Sequence, residues 1–321
     1  MLVSIDILSL VGRRTTAVQD HRGKRTEFVR KQVGSSVMSV DQARLSIYLM
    51  GAPRIEIDGA PVSIGHSKAI AMIAFLAVTG RPHARESLAT LLWPDHQPSS
   101  ALGEVRRMLW ALNKSLGKGW LAADRQMIGL QSDVDVWTDV NCFLQLLACH
   151  DRHGHAANEV CPDCDGPLTE AVSLAQDDFM AGFNLPDSPG FDDWQAQETR
   201  FLHRQLAQAL QKRICLHLHS ADRALETAIT DAHRLLGLDP FFELAHRLLM
   251  ILYTEADQPA AAARQYQECV AILQKDGASP PSAETTALFE RIRSGEYDSG
   301  EDFALVPYQV MVSDSQDTAW T

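Results

Sequence analysis

The stretch Ser99–Leu116, SSALGEVRRMLWALNKSL, decides the reading of this chain, because it forms one helix with two differently built faces. Val105, Leu109, Leu112 and Leu116 recur at the spacing that lines up one side of an α-helix, and Met108 widens that stripe. The other face carries Gly103, Arg106, Arg107, Trp110, Asn113 and Lys114, whose guanidinium, amide and ammonium donors suit base edges and phosphates. A solvated amphipathic helix is the plain alternative for the stretch in isolation, and its neighbours shift the reading.

Upstream, from Leu45, the short alternating runs LSIYLMG, RIEIDG and PVSIG are each broken by Gly or Asp-Gly and predict a small antiparallel sheet with tight turns. Ser67 is the expected N-cap of KAIAMIAFLAVTG, a helix apolar on several sides that ends at Gly80. Arg85–Leu92 is a second helix closed by Trp93-Pro94, and Ser99 or Ser100 caps the third. Downstream, WLAA and MIGL flank Asp124-Arg125-Gln126 as a hairpin.

Sheet, three helices and hairpin in that order predict an α+β winged helix of the response-regulator effector type over residues 44–138. Helices two and three form its helix-turn-helix, Ser99–Leu116 takes the recognition position and Trp120–Leu130 forms the wing. The expected DNA contacts are Arg106, Arg107, Trp110, Asn113 and Lys114 on the helix, Arg125 on the wing, and Lys68. A solvated turn arginine is the competing reading of Arg125.

The net charge of −12 conceals a division. Residues 1–44 carry +4, residues 45–140 are neutral, and residues 141–321 carry −16. Contact with phosphate therefore falls to the N-terminal third and to residues 1–43, a basic arm expected to be disordered or to precede an alternative start at Met38. The composition, 45% hydrophobic and 22% charged, is that of an ordinary globular protein. The apolar N-terminal run is interrupted by Asp6 and precedes its arginines, so neither a signal peptide nor a membrane span is expected, and the six cysteines suit a cytoplasmic location.

Residues 139–294 read as an all-α domain of antiparallel helix pairs, followed by an acidic tail at 295–321. Helices are expected at Leu168–Phe183, Phe191–His219, Ala221–Leu236, Phe242–Ala256, Pro259–Lys275 and Ser282–Arg293. Ala245, Leu249 and Tyr253 on one helix, and Ala263, Tyr266 and Val270 on the next, suggest units on the tetratricopeptide plan. Histidines on these helices are expected at the surface, and Trp93, Trp137 and Trp194 as packing anchors.

Within this domain the loop at 150–166 brings His153, His155, Cys161 and Cys164 together in sequence. A Cys-x2-Cys knuckle with two nearby imidazoles fits a structural zinc ion, the one cofactor the sequence suggests. A loop that binds nothing and a redox dithiol are the alternatives, and Cys142, Cys149 and His150 are spare ligands. No phosphate-binding loop, nucleophile elbow or paired-carboxylate arrangement points to catalysis.

Four strings taken in order, RESLATLLWPD (Arg85–Asp95), DDFMAGFNLPDSPGFDDW (Asp177–Trp194), LGLDPFFELAHRLLMILY (Leu236–Tyr253) and ARQYQECVAILQKDGASPPSAETTALFERI (Ala263–Ile292), resemble the bacterial transcriptional activator domain proteins, the architecture of the Streptomyces antibiotic regulatory proteins. The resemblance runs from about Leu45 to Arg293. It implies a winged helix that binds double-stranded DNA, and a helical domain for homo-oligomerisation and contact with RNA polymerase or other transcription proteins. Leu102, Glu104 and Asn113 depart from the arginine-rich recognition helices of that family. The expected function is a DNA-binding transcriptional regulator, an activator by family. Its rivals are a protein-interaction adaptor whose winged helix no longer binds DNA, and a zinc- or redox-responsive regulator.

Overall fold

The computed structural model describes residues 43–148, 153, 159–219, 224–275, 280–298 and 309–310. Nearly all of the expected basic arm and most of the acidic tail lie outside them.

The chain opens with β1 (Arg44–Tyr48), β2 (Arg54–Ile57) and β3 (Ala60–Pro61), paired antiparallel as the alternation predicts. Leu45 lies opposite Ile57 and Ile47 opposite Ile55, which sets one apolar face inward. Asp58 and Gly59 turn the β2–β3 hairpin with positive φ angles of 51° and 78°, a geometry Asp-Gly tolerates.

The first helix, α1 (Ser67–Thr79), is buried along most of its length, and Gly80 closes it at φ 61°. Its N-cap is His66, so Ser67 is the first helical residue rather than the cap. β4 (His83–Ala84) leads into α2 (Arg85–Leu92), which has the expected bounds. The helix α3 (Pro98–Leu116) starts one residue before Ser99. Pro98 takes the first turn, where its missing N–H costs nothing, so neither serine serves as the cap. Val105, Met108, Leu109, Leu112 and Leu116 are all buried.

The hairpin of β5 (Leu121–Ala123) and β6 (Met127–Leu130) pairs with β4 in a small sheet of order β4-β6-β5, the wing sheet of a winged helix. The strand β7 (Asp135–Thr138) was not expected. It runs parallel to β1, with Val136 opposite Leu45, and completes the first sheet in the order β3-β2-β1-β7.

Past β7 come α4 (Asp139–Leu147), a short strand β8 (Glu159–Val160) and α5 (Asp165–Leu174). The apolar spacing predicts that α5 runs to Phe183, but it stops at Leu174. The backbone beyond is used elsewhere: Met180 N donates to Leu49 O (2.7 Å) and Ala181 N to Gly51 O (3.0 Å). Met180 adopts a φ of 52° at the first of these bonds, and Gly182 turns the chain just after the second with a φ of 74°.

The helices α6 (Pro189–His219), α7 (Leu225–Leu238), α8 (Glu243–Glu255), α9 (Pro259–Lys275) and α10 (Ala283–Ser294) then pack each on the one before, as the short breaks predict. Ala262, Gln265 and Cys269 form the buried line of α9, one residue out of step with the predicted Ala263, Tyr266 and Val270. Tyr266 instead stacks on Phe289 of α10 at 4.1 Å. His246 is a second correction: it is 1% exposed, its Nδ1 accepting from Gln265 and its Nε2 donating to Pro240 O. A glutamine donor and a carbonyl acceptor satisfy both ring nitrogens, so this histidine suits the core. A short strand β9 (Gln309–Val310) pairs parallel with β8.

One apolar core runs through both halves. Trp194 joins them, packing its ring against Phe75 of α1 (4.9 Å) and against Phe179 and Phe191 (5.6 and 5.2 Å). Trp93 is buried and Trp137 packs edge-on against Tyr48, so all three tryptophans act as packing anchors. Among the described residues no helix is long and apolar enough to cross a membrane.

Candidate nucleic-acid interface and metal cluster

The exposed side of α3 presents Arg106, Trp110 and Lys114, each one helical turn from the next. Trp110 is 64% exposed, and the Lys114 ammonium lies 5.1 Å from its ring centroid. Arg107 points to an adjacent face, where Glu104 takes its guanidinium. Asn113 is half-buried, and its side-chain amide donates to Leu109 O (2.9 Å).

The wing is held rigidly against the foot of α2. Asp124 Oδ1 accepts from the amides of Gln126 and Met127, both at 2.7 Å. Those two amides hold the Asp124 carboxyl below the usual carboxylate range. Arg85 Nε donates to Asp124 O, and Arg85 N to Gln126 O, each at 2.8 Å. Arg125 is thereby left at the exposed tip. It lines one groove with Arg85, Leu102, Arg106 and Met127, so wing and recognition helix share a single concave surface. Sequence reasoning placed Asp124 in the hairpin turn without naming its carboxylate as the acceptor that shapes it, and it missed the bonds of Arg85 to the turn.

Lys68 stands apart from this surface. Its ammonium donates to Leu92 O (2.6 Å), pairs with Asp187 (2.8 Å) and lies over the Trp93 ring at 5.0 Å. Ser188 Oγ donates to the same carbonyl (2.8 Å), so the end of α2 is where the winged helix and the helical domain are clasped. Hydrogen bonding to Lys68 lowers the Asp187 pKa.

The second cluster lies where α5 begins. Val160 is fully buried and fixes the start of the knuckle; Cys161 O accepts from Cys164 N (2.9 Å) across one turn of 3-10 helix. The Cys161 and Cys164 sulfurs are 3.6 Å apart, too far for a disulfide bond. His153 Nδ1 faces both, 3.4 Å from Cys161 Sγ and 3.2 Å from Cys164 Sγ. Burial pushes the Cys164 thiol up to about 11. The expected fourth member, His155, lies outside the described residues, as do Cys149 and His150. Cys142, on α4, is not part of this convergence.

Residues 138–293 match the model of the bacterial transcriptional activator domain. The transcriptional regulatory protein EmbR of Mycobacterium bovis and that of Mycobacterium tuberculosis are 35% identical to this chain over 77 residues. That match covers 24% of this chain and 20% of each relative, so the chain spans about a fifth of their length. The solved structure of Mycobacterium tuberculosis EmbR in complex with a low-affinity phosphopeptide has the same fold. It superposes with a TM-score of 0.64 at 21% identity, over 82% of this chain and 68% of that one.

Proposed function

The helical half of this chain, residues 138–293, belongs to the bacterial transcriptional activator domain family, and on that premise we propose that the protein is a cytoplasmic transcriptional regulator that activates promoters by binding double-stranded DNA through its winged helix. The observation that carries this reading is the shared groove of recognition helix and wing, which presents Arg106 and Arg125. Among the described residues neither arginine is tied up in an ion pair, whereas Arg107 is held by Glu104. In the bound complex α3 enters the major groove, where Arg106 reaches a guanine edge or a phosphate and Lys114 a phosphate. Trp110 stacks its apolar face over the sugar-phosphate wall, and Arg125 follows the backbone beside the wing.

The charge distribution supports this orientation. The acidic half of the chain repels DNA, so the basic side chains must act at close range from the one surface that presents them. The helical domain is the part suited to self-association and to contact with RNA polymerase or other transcription proteins.

Genome-wide immunoprecipitation of the tagged chain, with the recovered sites then measured by fluorescence anisotropy, tests the reading. Discrete sites are expected, with affinity that falls steeply as salt rises. R106A should weaken them by about fivefold or more, the loss of one base or phosphate contact of about 1–3 kcal/mol. R107A should have a smaller effect, because that guanidinium must first leave Glu104. A folded, expressed protein that enriches no DNA would replace this reading with that of a protein-interaction adaptor.

A further inference from the structure

We propose that His153, Cys161 and Cys164 bind a zinc ion whose role is structural, pinning the Cys161–Cys164 turn beside the edge on which β9 docks. Three ligand atoms of zinc-binding type converge here with spacings of 3.2, 3.4 and 3.6 Å. A tetrahedral zinc with bonds of about 2.3 Å to sulfur and about 2.0 Å to nitrogen sets its sulfur–sulfur edges near ~3.8 Å and its sulfur–nitrogen edges near ~3.5 Å. The observed triangle is within a few tenths of an ångström of that figure on every side.

The residue types agree with the geometry. Two thiolates and an imidazole form a borderline-soft donor set that favours zinc over calcium or magnesium. Binding is a ligand exchange without electron transfer: each thiol loses its proton to solvent as its sulfur lone pair goes to the metal, and neutral His153 donates through Nδ1.

The position of the site assigns its role. Cys161 follows β8 directly, and β8 pairs with β9, so Glu159 lies opposite Gln309 and Val160 opposite Val310. The knuckle thus lies between the start of α5 and an edge that holds a segment of chain distant in sequence. A metal there fixes both, far from the recognition helix in the sequence and independent of any DNA contact.

The test is metal analysis of the full chain purified without added metal, followed by cobalt substitution of the metal-stripped protein. Equimolar zinc is expected, and cobalt should give a thiolate-to-metal charge-transfer band with the intense visible d–d bands of four-coordinate geometry. C161S and C164S should each lower zinc retention by more than about tenfold, because losing even an outer-shell partner of a ligand costs about 10–100-fold. Removing zinc from the wild-type chain should raise hydrogen exchange at 159–165 and at 309–310, leaving α3 unchanged. A wild-type protein free of zinc that gives no such cobalt spectrum would overturn the proposal, and so would a Cys161–Cys164 disulfide found in its place. Both decisive readings use the wild-type chain, so a variant that fails to fold does not obscure them.

Discussion

At the scale of single residues, the protein separates side chains that look alike in sequence. Arg106 and Arg107 are neighbours of the same type, yet one faces the wing groove while the other is held by Glu104. Asp139 is the counterpart among the acids: it is 4% exposed, and its carboxylate accepts from the amides of Leu49, Met50 and Val140 at 2.8–2.9 Å. Burial raises its pKa against the pull of those three amides. Replacing it by alanine leaves buried donors without an acceptor, so D139A is expected to cost about 3 kcal/mol in urea unfolding. A loss under about 0.5 kcal/mol, the scale of an ordinary surface substitution, would show that water replaces the carboxylate there.

Elements respond as units, and the contact of α10 with α8 is expected to depend on pH. Glu243 Oε2 accepts from Ser282 N (2.9 Å), Ser282 Oγ (2.9 Å) and Thr285 Oγ1 (2.6 Å). Partial burial works to raise the Glu243 pKa, but the bonds from Thr285 and Ser282 and the charge of Arg247 outweigh it and hold the carboxyl below its ordinary value. A depressed carboxylate contributes stability above its unfolded pKa and loses it as pH falls through the folded value. Amide protection in α10, corrected for intrinsic exchange, should therefore drop in acid below the ordinary carboxylate range. The drop should be flattened in E243Q; parallel curves for the two proteins would place the linkage in another group.

The whole molecule is tied together where the two halves meet. Trp194 touches Phe75, Phe179 and Phe191, Lys68 and Ser188 converge on Leu92 O, and Met180 bonds to the end of β1. The winged helix and helical domain should therefore unfold in one calorimetric transition. W194A, which removes about 3 kcal/mol or more of aromatic packing, should lower that transition and broaden or split it. An unchanged single transition in W194A would mean that the backbone and Lys68 contacts suffice to couple the halves.

What the sequence determined by itself is what repeats over one or two turns. The buried stripe of α3, the alternation of β1 and β2, the Asp124 hairpin and the zinc-type residues of the 150–166 loop all follow from local spacing, which backbone geometry converts directly into faces and turns. Tertiary structure decided the rest, because it depends on partners far away in the chain. The end of α5 is set by amides that Leu49 and Gly51 claim, the register of α9 by His246 and α10, and the position of Lys68 by Asp187. The pairing of β7 with β1 and of β9 with β8 joins segments about ninety and 150 residues apart, a distance over which periodicity carries no information. His153 comes to face Cys161 and Cys164 for the same reason: spacing supplies ligands of the right type, and only the folded backbone sets them an ion's width apart.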